Sequence, residues 1–353
     1  MQDEAAILKE SLAAITQWYA ASHRVLPWRQ DPGPYQVWIA EIMLQQTRIE
    51  AVIPYYERFM RELPELPDLA AAEEERLLKL WEGLGYYSRA RNLKKAARQV
   101  MEQYGGALPR TAEELKKLPG IGAYTAGAIA SIAFGQPEPA VDGNVLRVVM
   151  RLLGSGEDVM EQATRRRVAE LLRAHYPVGE AAGDLTEGLM ELGEILCVPN
   201  GEARCALCPA RHACRALAED RVQELPVRSA KKERRVERRT VLLMRCGERW
   251  AIRKRAGKGL LAGLWELPNR EGRLSERELR RRLADQGLNV LDCRPCGEAR
   301  HLFTHVEWQM NGFMVSCAET GGDYEWKTVE EIRQGYSIPA AFRSYLEQMS
   351  RKL

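Results

Sequence analysis

The sequence lacks the features that would send it to a membrane or out of the cell. Its first residues, MQDEAAILKE, have neither the basic start nor the apolar stretch of a secretory signal, which predicts an intracellular protein. No run reads as a membrane span. Residues 118 to 137 carry no charge, but four glycines, two prolines and many alanines suit a buried helix in a water-soluble core instead. An excess of one charge sign is also missing, since 52 Lys and Arg face 49 Asp and Glu for a net charge of +3. So small a charge does not by itself establish a nucleic-acid partner. The basicity is local: residues 221–240 hold eight Lys and Arg against three Glu. Solenoid repeats are absent, and 45% hydrophobic with 29% charged residues excludes a mostly disordered or fibrous chain.

What is present divides in two. A length of 353 residues predicts two domains, each able to bury a core. Up to about residue 220 apolar residues recur at threes and fours between short Gly/Pro breaks, predicting helices over 8–19, 35–49, 52–60, 75–81, 89–104, 111–118, 124–133, 144–153 and 184–196. After the charged run KKERRVERR the texture changes to short β-rich runs, TVLLM, RWAIR and GFMVSC, with helices expected near 276–286 and 340–349. The expected division is a helical region 1–215, a basic linker 216–236 and an α+β domain 237–353.

Four of the eight cysteines fall close together, as Cys197-x7-Cys205-x2-Cys208-x5-Cys214. In an intracellular chain this clustering favours a metal over disulfides, and the spacing leaves zinc and an iron–sulfur cluster equally open. Cys293 and Cys296 have no second pair beside them and read as unligated thiols.

Two carboxylates stand out. Glu41 lies within Val37-Trp-Ile-Ala-Glu-Ile-Met-Leu44, where helical spacing surrounds it with apolar side chains. Desolvation raises a carboxyl pKa and keeps a proton available for general acid catalysis, although an isolated Glu in such a helix also fits a pair with an arginine. Asp142 precedes the apolar-periodic helix of Leu146, Val149 and Leu153; alone it reads as an N-cap, and with Glu41 as half of a two-carboxylate device for glycosidic cleavage. A capping-box signal at Thr111-Ala-Glu-Glu114 and the turn Leu118-Pro-Gly-Ile-Gly122 read as helix–hairpin–helix. Gly120 and Gly122 would let backbone amides approach a phosphate there. Arg89, Arg91, Lys94, Lys95 and Arg98 follow Gly83-Leu-Gly-Tyr-Tyr-Ser88, a basic helix beside an aromatic loop tip that suits a wedge into stacked bases or, equally, a core pair beside a solvated face.

In combination these segments resemble the MutY-type adenine DNA glycosylase family over nearly the whole chain. The resemblance rests on Leu26-Pro-Trp-Arg29, Glu41-Ile-Met-Leu-Gln-Gln-Thr-Arg48, Gly83-Leu-Gly-Tyr-Tyr-Ser-Arg89, Leu118-Pro-Gly-Ile-Gly122, Val141-Asp-Gly-Asn144 and the four cysteines in order. It implies an all-helical helix–hairpin–helix glycosylase region with a [4Fe-4S] cluster on Cys197, Cys205, Cys208 and Cys214, then an α+β Nudix-like (MutT-like) domain that recognises 8-oxoguanine. It further implies that Glu41 protonates a flipped adenine and that Asp142 stabilises the cationic sugar. By the same resemblance Arg29, Tyr124, Asn144 and Glu187 line the adenine pocket, and Gln46, Thr47, Leu84 and Tyr86 contact or wedge beside the lesion.

Tyr124 stands where endonuclease III-like relatives place a nucleophilic Lys, which implies a monofunctional enzyme. In the later domain, Gly259 to Pro268 resembles the opening of a MutT-type domain, but only Asp285 survives from the acidic metal-binding positions, so it is expected to bind and not to hydrolyse. Phe303-Thr304-His305 matches the family's Phe-Ser-His loop with Thr for Ser. The seven-residue gap after Cys197 is one longer than the commoner pattern, and the Pro199-Asn-Gly201 turn can absorb it. The expected partner is duplex DNA carrying adenine opposite 8-oxoguanine or guanine, bound by a monomer with no membrane role. A non-catalytic iron–sulfur protein that scans DNA for lesions is the alternative; it would need neither Glu41 nor Asp142.

Overall fold

The protein, a computed structural model, is described over residues 3–30, 32–230 and 233–350. Its contacts divide it into two units, Met1–Ala71 with Asn92–Ala230, and Ala72–Arg91 with Lys231–Leu353. Among the described residues no helix is long and apolar enough to cross a membrane.

In the first unit the three-to-four spacing becomes helices, among them Glu4–Ser22, Pro34–Leu44, Ile49–Glu62, Ala123–Phe134, Gly143–Leu153 and Glu180–Ile195. Gly143–Leu153 lies at the centre, with every residue from Val145 to Leu153 buried, two arginines included. Ile7, Leu8, Leu12 and Ile15 pack with it from one helix, and Leu185, Leu189 and Leu192 from another. Each such side chain contributes about 1.5–3 kcal/mol on burial, enough to hold the start of the central helix, where Asp142 sits, in one place.

The pattern predicts one helix over 35–49, but the chain ends one helix at Leu44 and starts the next at Ile49. Gln46, between them, has φ +59°, a left-handed backbone that costs a non-glycine residue about 1–2 kcal/mol. Residues 45–48 are Gln-Gln-Thr-Arg, and four polar residues in a row fit the exposed turn of one helix as well as a break, so periodicity does not reveal it. At the hairpin, Thr111 caps Ala112–Leu115 as expected, its Oγ1 accepting the Glu114 amide at 3.4 Å. The reciprocal half of the expected capping box is not made, because the Glu114 carboxylate accepts from the Tyr104 hydroxyl at 3.0 Å and pairs with Lys117. Gly120 turns the hairpin at φ +82°, and a Cβ there would lie 2.7 Å from Cβ of Asn92.

The expected linker over 216–236 is shortened from its N-terminal side. Ala216 and Leu225 are buried, and the Val159 amide donates to the Val227 carbonyl at 3.1 Å, so residues up to 230 belong to the first unit. Lys231 and Lys232 of the charged run lie outside the described residues.

The second unit is built on a mixed sheet of β1 (Arg235–Cys246), β2 (Arg249–Lys254), β3 (Trp265–Glu266), β4 (Asn269–Glu271), β5 (Val290–Leu302), β6 (Val306–Cys317) and β7 (Glu325–Lys327), in the order β3-β2-β1-β6-β5 with β4 on β1 and β7 on β2. β1 and β6 pair in parallel from Arg235↔Val306 to Arg245↔Ser316; the other pairs are antiparallel. The run at the centre of β1 is apolar throughout because both faces are covered. Val241 and Leu243 pack with Tyr345 and Met349 of helix Arg343–Ser350, while Leu242 and Met244 pack with Leu279 and Leu283 of helix Glu276–Ala284. β5 is not visible in the sequence because it is polar and carries Pro295, which a terminal strand with a bulge beside it tolerates.

Gly127 decides how closely Ala123–Phe134 approaches the segment leading into Asp142. A Cβ there would sit 2.4 Å from the Pro139 carbonyl oxygen. Gly127→Ala is predicted to lower stability by about 1–3 kcal/mol in denaturant unfolding; an unchanged midpoint would show that the segment has room to move.

Candidate active site

Pro34–Leu44 is buried on nearly every side, with Val37, Trp38, Ile39, Ala40, Ile42 and Met43 all inaccessible. Glu41, on the same helix, is only 6% exposed. The Tyr124 hydroxyl, from the first turn of Ala123–Phe134, donates to Glu41 Oε2 at 2.8 Å. Burial pushes the Glu41 carboxyl up to about 7, and the charges of Glu187 and Asp142 add to this, while the tyrosine hydrogen bond and the more distant Arg29 oppose it. The group is therefore poised to hold and release a proton near neutrality.

Asp142 is the N-cap of Gly143–Leu153, its Oδ1 accepting the Val145 amide at 2.7 Å. Burial raises its pKa from the ordinary 3.8, and hydrogen bonds from Val145 and Asn144 and the charge of Arg147 hold that rise in check. Asn144 is itself held by Arg147, whose Nη2 donates to its Oδ1 at 2.9 Å. Arg147 also reaches the carbonyls of Gly193 at 2.6 Å and Cys197 at 2.7 Å.

Arg29 Nε donates to Glu187 Oε1 at 2.9 Å, and its Nη1 pairs closely with Glu191. The remaining Glu187 oxygen accepts from the Tyr19 hydroxyl at 2.8 Å, and the Arg29 guanidinium lies 5.2 Å from the Tyr19 ring centre. Tyr19, Glu191 and Arg147 were missed in the sequence. Glu191 had a signal: it stands one helical turn after Glu187, on the same face.

Cys197, Cys205, Cys208 and Cys214 line one small cavity with Arg151, Arg204 and Arg211. The buried Arg151 donates through Nη1 to Cys197 Sγ at 3.3 Å. Four soft thiols around a shared cavity, with cations beside them, are a donor set that suits a thiolate-bound metal centre.

The other expected site residues are distributed over both units. Gln46 and Thr47 lie in the break after Leu44, and Gly120 and Gly122 at the hairpin turn, all in the first unit. In the second, Tyr86 projects from its loop, 48% exposed and at φ +46°, while Leu84 is buried. Arg89 holds this loop, donating to the carbonyls of Leu84 at 3.0 Å and Gly85 at 3.1 Å. The Tyr86 hydroxyl and Thr304 Oγ1 are hydrogen-bonded at 2.7 Å. Phe303 packs edge-on against Trp308 and His301, and His305 is exposed.

Residues 39–174 match the profile of the HhH-GPD superfamily base excision DNA repair proteins, and residues 240–348 that of the NUDIX domain. The adenine DNA glycosylase of Homo sapiens is 35% identical over 95% of this chain and 74% of its own length. That of Schizosaccharomyces pombe is 30% identical over 96% and 90%. The chain belongs to the adenine DNA glycosylase family. This glycosylase is also similar in structure to a thermostable thymine-DNA glycosylase, with 29% identity and a TM-score of 0.54 over 61% of this chain and 98% of that one. An endonuclease III trapped as a covalent DNA intermediate gives 27% identity and a TM-score of 0.52 over 62% and 99%. The protein is thus a base-excision-repair DNA glycosylase, with a helix–hairpin–helix region followed by a Nudix-like domain.

The raised Glu41 pKa has a stability consequence. An unfolded chain releases this proton near 4.5 and the folded glycosylase near 7, so folding is favoured below the first value and loses that advantage as pH rises through the second. Glu41→Gln, which cannot ionise, is predicted to be more stable than wild type by about 3 kcal/mol above pH 8, with the difference vanishing below about pH 4.5. Melting temperatures of both proteins across this range test it; a constant difference would place the raised pKa elsewhere.

Proposed function

We propose that this glycosylase hydrolyses the N-glycosidic bond of adenine mispaired with 8-oxoguanine, or with guanine, in duplex DNA, leaving an abasic site without cutting the strand. The observation that carries the reading is the buried Glu41 carboxyl, hydrogen-bonded to a hydroxyl and flanked by Asp142. The adenine is extruded into the pocket of Arg29, Tyr124, Asn144 and Glu187. Glu41 gives its proton to the base as the bond to C1′ breaks and the electron pair leaves with adenine. Asp142, ionised, offsets the positive charge that develops on the sugar. The Glu41 carboxylate then orients the water that adds to C1′ and takes up its proton. Tyr124 supplies no amine, so no Schiff base forms and the strand stays intact.

Lesion recognition is assigned to Gln46, Thr47, Leu84 and Tyr86 with Phe303, Thr304 and His305, and phosphate contact to the amides around Gly120 and Gly122. The hydrogen bond between Tyr86 and Thr304 supports this, because it makes the wedge and the lesion-sensing hydroxyl one unit. The Nudix-like domain is read as binding without hydrolysis, since Asp285 alone does not hold magnesium. Cys197, Cys205, Cys208 and Cys214 would hold a [4Fe-4S] cluster. When bound it supplies a cross-link among loop residues and a fixed local charge.

The reading is tested by single-turnover incubation with duplexes carrying adenine opposite 8-oxoguanine or guanine, with and without alkali. Alkali-dependent breakage at adenine, faster opposite 8-oxoguanine, is expected, with loss of at least about 100-fold in Glu41→Gln. Efficient borohydride trapping of a protein–DNA adduct would overturn the monofunctional assignment. Lesion binding without breakage would favour a scanning protein. For the cysteines, about four irons per chain are expected on analysis of the purified protein, falling in Cys208→Ser; a single zinc would refute the cluster.

A further inference from the structure

Glu191 is not among the residues that the resemblance assigns to catalysis, yet its side chain is fully buried against Arg29. A buried carboxylate persists only where cations and donors compensate it. Arg29 Nη1 does so from the pocket side. From the far side Arg24 contributes its amide at 3.0 Å and its Nε at 3.2 Å. Arg24 also pairs with Glu194 at 2.7 Å, and its carbonyl accepts from Arg29 at 3.2 Å. Arg29 is thereby shared between two carboxylates, Glu187 through Nε and Glu191 through Nη1. One guanidinium between two carboxylates leaves an excess of one negative charge, and without Glu191 there would be none.

The groups acting on Glu41 come from four elements, Tyr124 from Ala123–Phe134, Asp142 at the start of Gly143–Leu153, Glu187 from Glu180–Ile195 and Arg29 from Pro27–Gln30, while Ile49–Glu62, which also packs against its helix, contributes none of them. Tyr19 of Glu4–Ser22 acts at one remove, through its hydrogen bond to Glu187. Arg29 is the cation in this set, and its charge is the one that Glu191 offsets. We infer that Glu191 is a positioning residue for the glycosylase reaction, pinning Arg29 against Glu187 and offsetting its charge, so that Arg29 does not draw the proton from Glu41. This rests on the reading of Glu41 as the general acid.

The test is the pH profile of single-turnover cleavage of a duplex carrying adenine opposite 8-oxoguanine, at saturating enzyme, using the iron-loaded full chain. The wild-type rate is high below the Glu41 pKa and falls as pH rises through it. Glu191→Gln removes a negative charge and is expected to move this descending limb toward acid by about 1 unit, so that the rate at pH 8 drops about tenfold while the rate near pH 5 changes little. Arg24→Gln leaves Glu191 less compensated and is expected to move the limb the other way. Opposite shifts are a signature that loss of packing does not give. Limbs that superimpose on wild type, or that move in the same direction in both variants, overturn the inference even if overall rates fall. If Glu191→Gln does not fold, the alkaline shift in Arg24→Gln still decides. Glu41→Gln run alongside separates the two readings: full activity in that variant overturns the assignment of the acid and this inference with it, whereas an inactive variant with unmoved limbs overturns only the role of Glu191.

Discussion

Taking the Glu41 carboxyl out of water penalises its charged form, and the protein places a tyrosine hydroxyl against it where a guanidinium would have been the stronger partner. A close arginine would have fixed the group as a carboxylate and removed its proton. The hydroxyl satisfies an oxygen in either protonation state. Much of the first unit serves this arrangement. Pro34–Leu44 must be apolar around Glu41, Ala123–Phe134 must bring its first turn within hydrogen-bond reach, and Arg29 must be kept occupied by Glu187 and Glu191.

Asp142 solves the complementary problem. Its environment is also partly dry, but it lies at a helix start, where free amides and the positive end of the helix favour a negative charge. Two buried carboxyl groups thus receive different partners, one a tyrosine hydroxyl and the other the amides of a helix start. Their protonation states are set by backbone geometry as much as by neighbouring side chains.

Much of this was legible in the sequence, and the remainder was hidden for definite reasons. The apolar frame of Glu41, the helix start after Asp142 and the Gly-rich hairpin are local patterns, and local patterns survive without tertiary information. The break at Gln46 was not legible, because a left-handed residue leaves no trace in apolar spacing. Nor was β5, whose polar residues are tolerated because it ends the sheet. The docking of residues 216–230 was obscured by their charge, which describes what faces solvent and says nothing of Leu225 beneath it. Tyr19 and Glu191 illustrate a further limit. Tyr19 resembles an ordinary residue of its own helix and Glu191 is marked only by its place one turn after Glu187, while their convergence on Glu187 and Arg29, more than 150 positions apart in the chain, is tertiary.

Arg147 lies inside the central helix and spends its donors in two directions, toward Asn144 beside Asp142 and toward the carbonyl of Cys197. A guanidinium so enclosed loses little by being buried only while its acceptors are present; removing one leaves a donor unsatisfied at a cost of roughly 1–3 kcal/mol. Arg151, one turn further on, ties the same helix to Val198 and Leu225. The cysteine loop therefore cannot fray as an appendage does. Its opening and the melting of the central helix's first turn belong to one cooperative event, so in hydrogen exchange the amides around Val145 and those following Cys197 would share a single opening free energy, although more than 50 residues of chain separate them.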